Sequence, residues 1–185
     1  MARTANGRNP IPTVLTLANA ERPRRRPAQA GKDRPWTSID TARAVLAPLS
    51  LSTPLREEDL VDLQRLAREV SEIANALQGR TEPPAPQVLN ELTQQVRGAP
   101  TLRFVDGKPQ VTMMWWAPTI TSELARRIIE ELGRCDPSRL RQCAREACSL
   151  LFYDTTRSNT QRWHAEDPCG WLERQARHRA RSRDL

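Results

Sequence analysis

The sequence has little glycine, few aromatic residues, almost no lysine and no long apolar run. Seven Gly against fifteen Pro in 185 residues exclude a collagen-type repeat and do not amount to a wholly disordered chain. No apolar run reaches the roughly 18 residues of a bilayer-crossing helix, so a transmembrane protein is excluded. Met1 to Pro10 is polar and lacks the apolar core of a secretion signal, so export is not expected and a cytoplasmic location is. No Gly-rich phosphate loop, GxSxG turn or HExxH helix occurs. His164 and His178 are the only histidines, which leaves acid–base chemistry to carboxylates. Glu57-Glu58-Asp59 suit a helix N-terminus, and Asp154 reads as a cap on the loop 155–159. An enzyme is therefore not expected.

What is present is positive charge, carried by arginine. Lys and Arg number 29 against 22 Asp and Glu, a net +7, and lysine occurs only at Lys32 and Lys108. Guanidinium forks suit phosphate contacts, although a coding sequence rich in G and C produces the same bias. The length suits one compact domain, with or without a small satellite. All four cysteines, Cys135, Cys143, Cys148 and Cys169, lie in the C-terminal third. A disulfide scaffold would be smaller, denser in cysteine and exported, so this clustering points to metal ligands or inert buried thiols.

Along the chain, residues 1–10 read as a disordered tail. The stretch 21–35 is basic and broken by prolines, which excludes a helix or a central strand. Before it, PTVLTLANA reads as a short strand or a turn of helix. Thr37 or Ser38 caps a short helix carrying Ala42, Val45 and Leu46. Thr53-Pro54 signals a helix start, and Leu60, Leu63, Leu66, Val70, Ile73 and Leu77 form one apolar stripe. A shorter helix carries Val88, Leu89, Leu92 and Val96 and stops at Gly98 and Pro100. Residues 101–116 alternate with period two around Asp106-Gly107, a hairpin signal. Met113 and Met114 then read as core filler, with one of Trp115 and Trp116 inward and the other outward. A further helix spans about 119–132. The predicted class is α+β: a mostly helical N-terminal domain with a β-hairpin, then a small zinc-stabilised hairpin-and-helix finger at the C-terminus.

The finger is read from spacing. Cys143, Cys148, His164 and Cys169 form two ligand pairs around a longer central span, the arrangement a tetrahedral Zn²⁺ site needs. Leu150–Tyr153 and Gln161–Trp163 are expected to pair as the central hairpin. Three thiolates and an imidazole fill all four positions, so the single ion is structural. Zinc-finger peptides gain on the order of 10–16 kcal/mol from such a site, comparable to the entire stability of an ordinary domain. The alternatives are buried free cysteines beside a surface histidine, or a four-thiolate set in which Cys135 replaces His164. Trp163 and Trp171, next to ligands, read as packing for the zinc core.

The same segment resembles the CGNR-type zinc finger at the C-terminus of bacterial stress-induced transcription regulators that carry an N-terminal ABATE domain. The likeness is carried by Arg139-Leu140, Cys143, Cys148, LLFYDTTRSNTQRW at 150–163, Cys169-Gly170 and ARHRAR at 176–181. His164 stands where the family has Cys, and Trp171-Leu172 stand where it has Asn-Arg. Upstream, VLTLANA resembles the opening of the ABATE domain. The resemblance implies an ABATE-like domain over 11–133 that senses a signal, dimerises or holds a partner, and a finger over 138–183.

A helix over about 169–183 places Leu172, Ala176 and Ala180 on one edge and Arg174, Arg177, His178 and Arg181 opposite. The apolar edge is expected to pack on the zinc hairpin. The arginine face, extended by Arg157 and Arg162, is the footprint of a nucleic-acid contact. A solvated helix end favoured by the dipole would look the same. The expected function is a zinc-dependent, DNA-binding transcriptional regulator. The rival is a zinc-stabilised protein-interaction module that does not bind DNA.

Overall fold

The computed structural model describes residues 9–22 and 35–182, except the side chains of Ala180 and Arg181. The expected N-terminal tail and most of the basic stretch 21–35 lie outside the described residues. The architecture is α+β. The order is α1 (Pro12–Ala20), α2 (Ile39–Leu46), α3 (Leu60–Leu77), α4 (Gln87–Thr93), β1 (Arg97–Val105), β2 (Lys108–Trp116), α5 (Ile120–Leu132), β3 (Leu140–Gln142), β4 (Leu151–Tyr153) and α6 (Trp171–Arg181).

α1 settles the ambiguous PTVLTLANA segment as helix. Pro12 sits in its first turn, where the missing N–H costs nothing, and Thr13, Val14, Leu17 and Ala18 are buried. This helix lies against α2, α3, α5 and β4. α3 buries Leu63, Leu66, Ala67, Val70 and Ala74, while Leu60, Ile73 and Leu77 of the predicted stripe are partly buried against the same core. Ser38 caps α2 and Thr119 caps α5, each in a reciprocal capping box.

The start of α3 differs from the Thr53-Pro54 expectation. The backbone N–H groups of Ser52 and Thr53 donate to the Glu123 carboxylate of α5, the Thr53 bond at 2.8 Å. That interaction holds the segment extended. The helical turns begin at Glu57, where the Asp59 carboxylate accepts from Arg56 N at 2.8 Å. α4 ends at Thr93, so Val96 falls outside it, and Gly98 and Pro100 lie inside β1 rather than before it.

β1 and β2 form an antiparallel hairpin in the register Leu102↔Val111 and Gly98↔Trp115. Asp106 and Gly107 both take positive φ, 50° and 73°, as a two-residue I′ turn requires. Here the expectation of buried residues fails: Met113, Met114, Trp115 and Trp116 are all exposed. A two-stranded ribbon buries a face only if another layer covers it, and the hairpin's contacts are almost wholly between its own strands. One link to the body is the Arg126 guanidinium of α5, stacked 5.4 Å from the Trp115 ring centre.

The C-terminal segment is packed onto the helices. Leu140 and Leu151 join the main buried cluster. The Asn19 side-chain amide accepts from Leu151 N at 2.7 Å and donates to Leu151 O at 3.0 Å, and Arg22 donates to Ser149 O.

Candidate metal centre

The expected strand pairing is corrected. β4 pairs with β3, in the register Leu140↔Tyr153 and Gln142↔Leu151, and 161–163 is not a strand. Leu140 and Leu151 can both reach the helical core, so the two strands pair where apolar burial rewards them. The return segment is held differently. Gln161 N donates to Asp154 Oδ2 at 2.7 Å, and Arg162 O accepts from Ala144 N at 2.8 Å.

This frame brings two turns together. In the first, Cys143 follows β3 with its N–H bonded to Leu150 O, and Cys148 N donates to Arg145 O. In the second, His164 precedes a wide turn at Glu166–Gly170 that presents Cys169 at the foot of α6. The ligand atoms of Cys143, Cys148, His164 and Cys169 all lie within 4.8 Å of one another. Cys148 Sγ and His164 Nδ1 are 3.5 Å apart. A tetrahedral ion with metal–sulfur bonds of about 2.3 Å and a metal–nitrogen bond of about 2.0–2.1 Å sets that edge at ~3.5 Å, so the donor set has the size of a zinc site.

The electrostatics suit the same ion. Burial and the neighbouring Cys143 and Cys148 push the Cys169 thiol up to about 11, while a hydrogen bond from Arg145 works in the opposite direction. Three thiolates cannot share so small a space without a cation, which deprotonates them on binding. Burial holds His164 below its ordinary value, which keeps the imidazole neutral as a ligand must be. These four residues form a zinc-binding cluster for one structural ion. Cys135 stands apart, partly buried against the core, with its thiol pushed up by burial and by Asp136. The alternative four-thiolate set is not formed.

Arg145 is a residue the sequence reading missed. Three thiolates and Zn²⁺ leave one net negative charge, and the nearby Arg145 guanidinium favours the thiolate form of Cys169. Its position between Cys143 and Cys148 was the available signal. Gly170 is a second. A Cβ there would collide with the Glu166 carboxylate, which accepts from Arg174.

Asp154 takes the capping role expected of it. Fully buried, it accepts from Thr156 N at 2.9 Å, Thr156 Oγ1 and Gln161 N. Burial opposes its charge, but these bonds and Arg141 outweigh burial and hold the carboxyl below its ordinary value.

The proposed arginine face is only partly available. Arg157, Arg162 and Arg177 are exposed, with Arg162 stacked 5.5 Å from the Trp163 ring centre. Arg174 is committed to Glu166. The Arg181 side chain lies outside the described residues, and Arg179 is exposed in addition. Of the expected apolar edge, Leu172 is partly buried, Ala176 is exposed, and the Ala180 side chain lies outside the described residues, so packing on the zinc hairpin does not extend to Ala176. The beginning of α6 contacts the Glu166–Gly170 turn, and from Ala176 to Arg179 every side chain faces solvent. Trp163 is partly buried, whereas Trp171 is 49 % exposed. A comparison with curated proteins finds no match. Residues 139–182, the segment that carries all four ligands, match the family model of the CGNR zinc finger.

Proposed function

We propose that the chain is a DNA-binding transcriptional regulator. In this reading the zinc-stapled finger sets α6 and the 155–162 loop as one basic surface, and a helical ABATE-like domain over 11–133 senses a signal or holds a partner. The observation that supports it most is the set of exposed guanidinium groups around the zinc site: Arg157, Arg162 and Arg177 face solvent without an acidic partner among the described residues. Arginine presented on a rigid support is suited to phosphate contact. The ion has no open coordination position, so the reading is non-catalytic. No described helix is long and apolar enough to cross a membrane.

The test is a duplex-DNA titration at several salt concentrations. If Arg157, Arg162, Arg177 and Arg181 each neutralise a phosphate, log K falls with log salt at a slope of roughly −3.6. Absence of any salt-dependent binding at low ionic strength overturns the reading. One observation favours the rival protein-interaction module: Trp171, where the family pattern has Asn, is half-exposed beside the zinc site, and exposed Trp is enriched at protein interfaces.

A further inference from the structure

The register of the β1–β2 hairpin sorts its side chains into two unlike faces. Residues opposite one another share a face, and faces alternate along each strand. One face carries Leu102 and Phe104 from β1 with Val111, Met113 and Trp115 from β2, interspersed only with Gly98, Pro100 and Pro109. It holds no polar side chain. The other face is mixed: Arg97, Thr101, Arg103, Lys108, Gln110 and Thr112 lie among Ala99, Val105, Met114 and Trp116. A hairpin built for solvent on both sides has no use for a continuous apolar face, and a period-two pattern of this kind is the mark of a covered one.

We propose that this apolar face is the interface between two copies of the chain, stacked hairpin on hairpin about a twofold axis. Its five large side chains remain 60 % (Leu102), 70 % (Phe104), 70 % (Val111), 48 % (Met113) and 44 % (Trp115) exposed. At roughly 100–150 Å² left uncovered for each, with smaller additions from the prolines, the face offers on the order of 600–800 Å². A standard dimer interface needs about 800 Å² per partner, and monomers rarely expose a contiguous apolar patch above a few hundred Å².

The chain's own remaining segments lack the chemistry to cover it. Residues 1–8, 23–34 and 183–185 contain no aromatic or β-branched apolar side chain and are mostly polar or basic. Charge also selects the face. Pairing through the opposite faces would bring together Arg97, Arg103 and Lys108 from both copies, whereas the strands place no charged side chain on the apolar face, which meets only Arg126 of α5 at its Trp115 end and is self-complementary, as a twofold contact demands. Pro100 and Pro109 interrupt the row of N–H donors along the strands, which disfavours edge-to-edge extension of the sheet and leaves stacking.

The test is sedimentation velocity of the zinc-loaded full chain from about 1 to about 100 µM, with self-association read by mass action. The wild type is expected to sediment as two chains. Leu102→Glu with Val111→Lys places opposite charges on facing positions, which keeps the hairpin paired while destroying the apolar surface. Its dimer dissociation constant is expected to rise at least about tenfold, with circular dichroism and bound zinc unchanged. Thr101→Glu with Thr112→Lys, the same exchange on the polar face, is expected to leave the dimer intact. A monomeric wild type at the highest concentration overturns the proposal. So does a dimer that survives the apolar-face exchange, or a monomer that instead co-sediments with phosphatidylglycerol vesicles through this face.

Discussion

At the scale of single residues, the finger depends on groups that are not ligands. Asp154 carries a buried charge satisfied by three donors. Asp154→Asn keeps the shape but replaces one acceptor oxygen with a donor facing other donors, and is expected to cost about 1–3 kcal/mol in urea unfolding. The pH dependence follows from its direction of shift. The folded carboxyl is held below its ordinary value, so its contribution is complete above the unfolded value of about 3.9 and is lost as pH falls through the lower folded value. The stability gap between wild type and Asp154→Asn is therefore expected to close below about pH 4. Arg145 acts on the metal from outside the ligand set. Arg145→Gln removes the charge facing Cys169 and is expected to weaken zinc about tenfold or more, measured by competition with a chelator dye. Cys143→Ser or Cys169→Ser is expected to lose zinc from the purified protein, and Cys135→Ser to retain it.

At the scale of elements, two helices begin without a cap of their own. Neither Ile11 before α1 nor Pro86 before α4 supplies a side-chain acceptor. Glu131 of α5 takes Thr13 N and Val14 N at 3.1 and 2.9 Å, and Glu69 of α3 takes Val88 N and Leu89 N at 2.9 and 2.8 Å. Long-range carboxylates thus satisfy the orphan donors of the first turns. Glu69→Gln is expected to cost about 1.5–3 kcal/mol. Glu72→Gln, one turn on and exposed, is expected to stay within about 0.5 kcal/mol. The same device explains where the sequence was legible. The stripe of α3, the cap of α2, the Asp106-Gly107 turn and the four metal ligands each depend on neighbours within a few residues or on ligand spacing, and all were readable. The true start of α3 was not, because Glu123 captures the Thr53 backbone from 70 residues away. The partner of β4 was not, because the choice between 140–142 and 161–163 is made by burial against helices elsewhere in the chain. The exposure of the Trp115 hairpin was not, because period two shows that a face is apolar and says nothing of what lies across it.

At the scale of the whole molecule, the zinc site is also a clamp on the helical body. Leu140 and Leu151 project from the two short strands into the core formed with α1, and Asn19 mimics a strand neighbour by bonding both backbone groups of Leu151. The strands are three residues each, too short to persist alone. Cys143 and Cys148 both lie in the connection between them, so an ion held there ties that connection to His164 and Cys169. Removing the ion is then expected to release both leucines. At about 1.5–3 kcal/mol for each buried side chain, and about 2–4 °C of thermal midpoint per kcal/mol in a chain of this size, the helical transition is expected to fall on the order of 10 °C. The measurement is thermal unfolding followed by far-ultraviolet circular dichroism, with and without a strong zinc chelator. An unchanged helical midpoint would mean that the helices hold together without the finger and that the contacts of Leu140 and Leu151 are incidental. A fall matched by Leu151→Ala in the zinc-loaded protein would instead place the coupling in those buried side chains. The metal would then set the stability of the domain to which it is docked as well as the shape of the surface it presents.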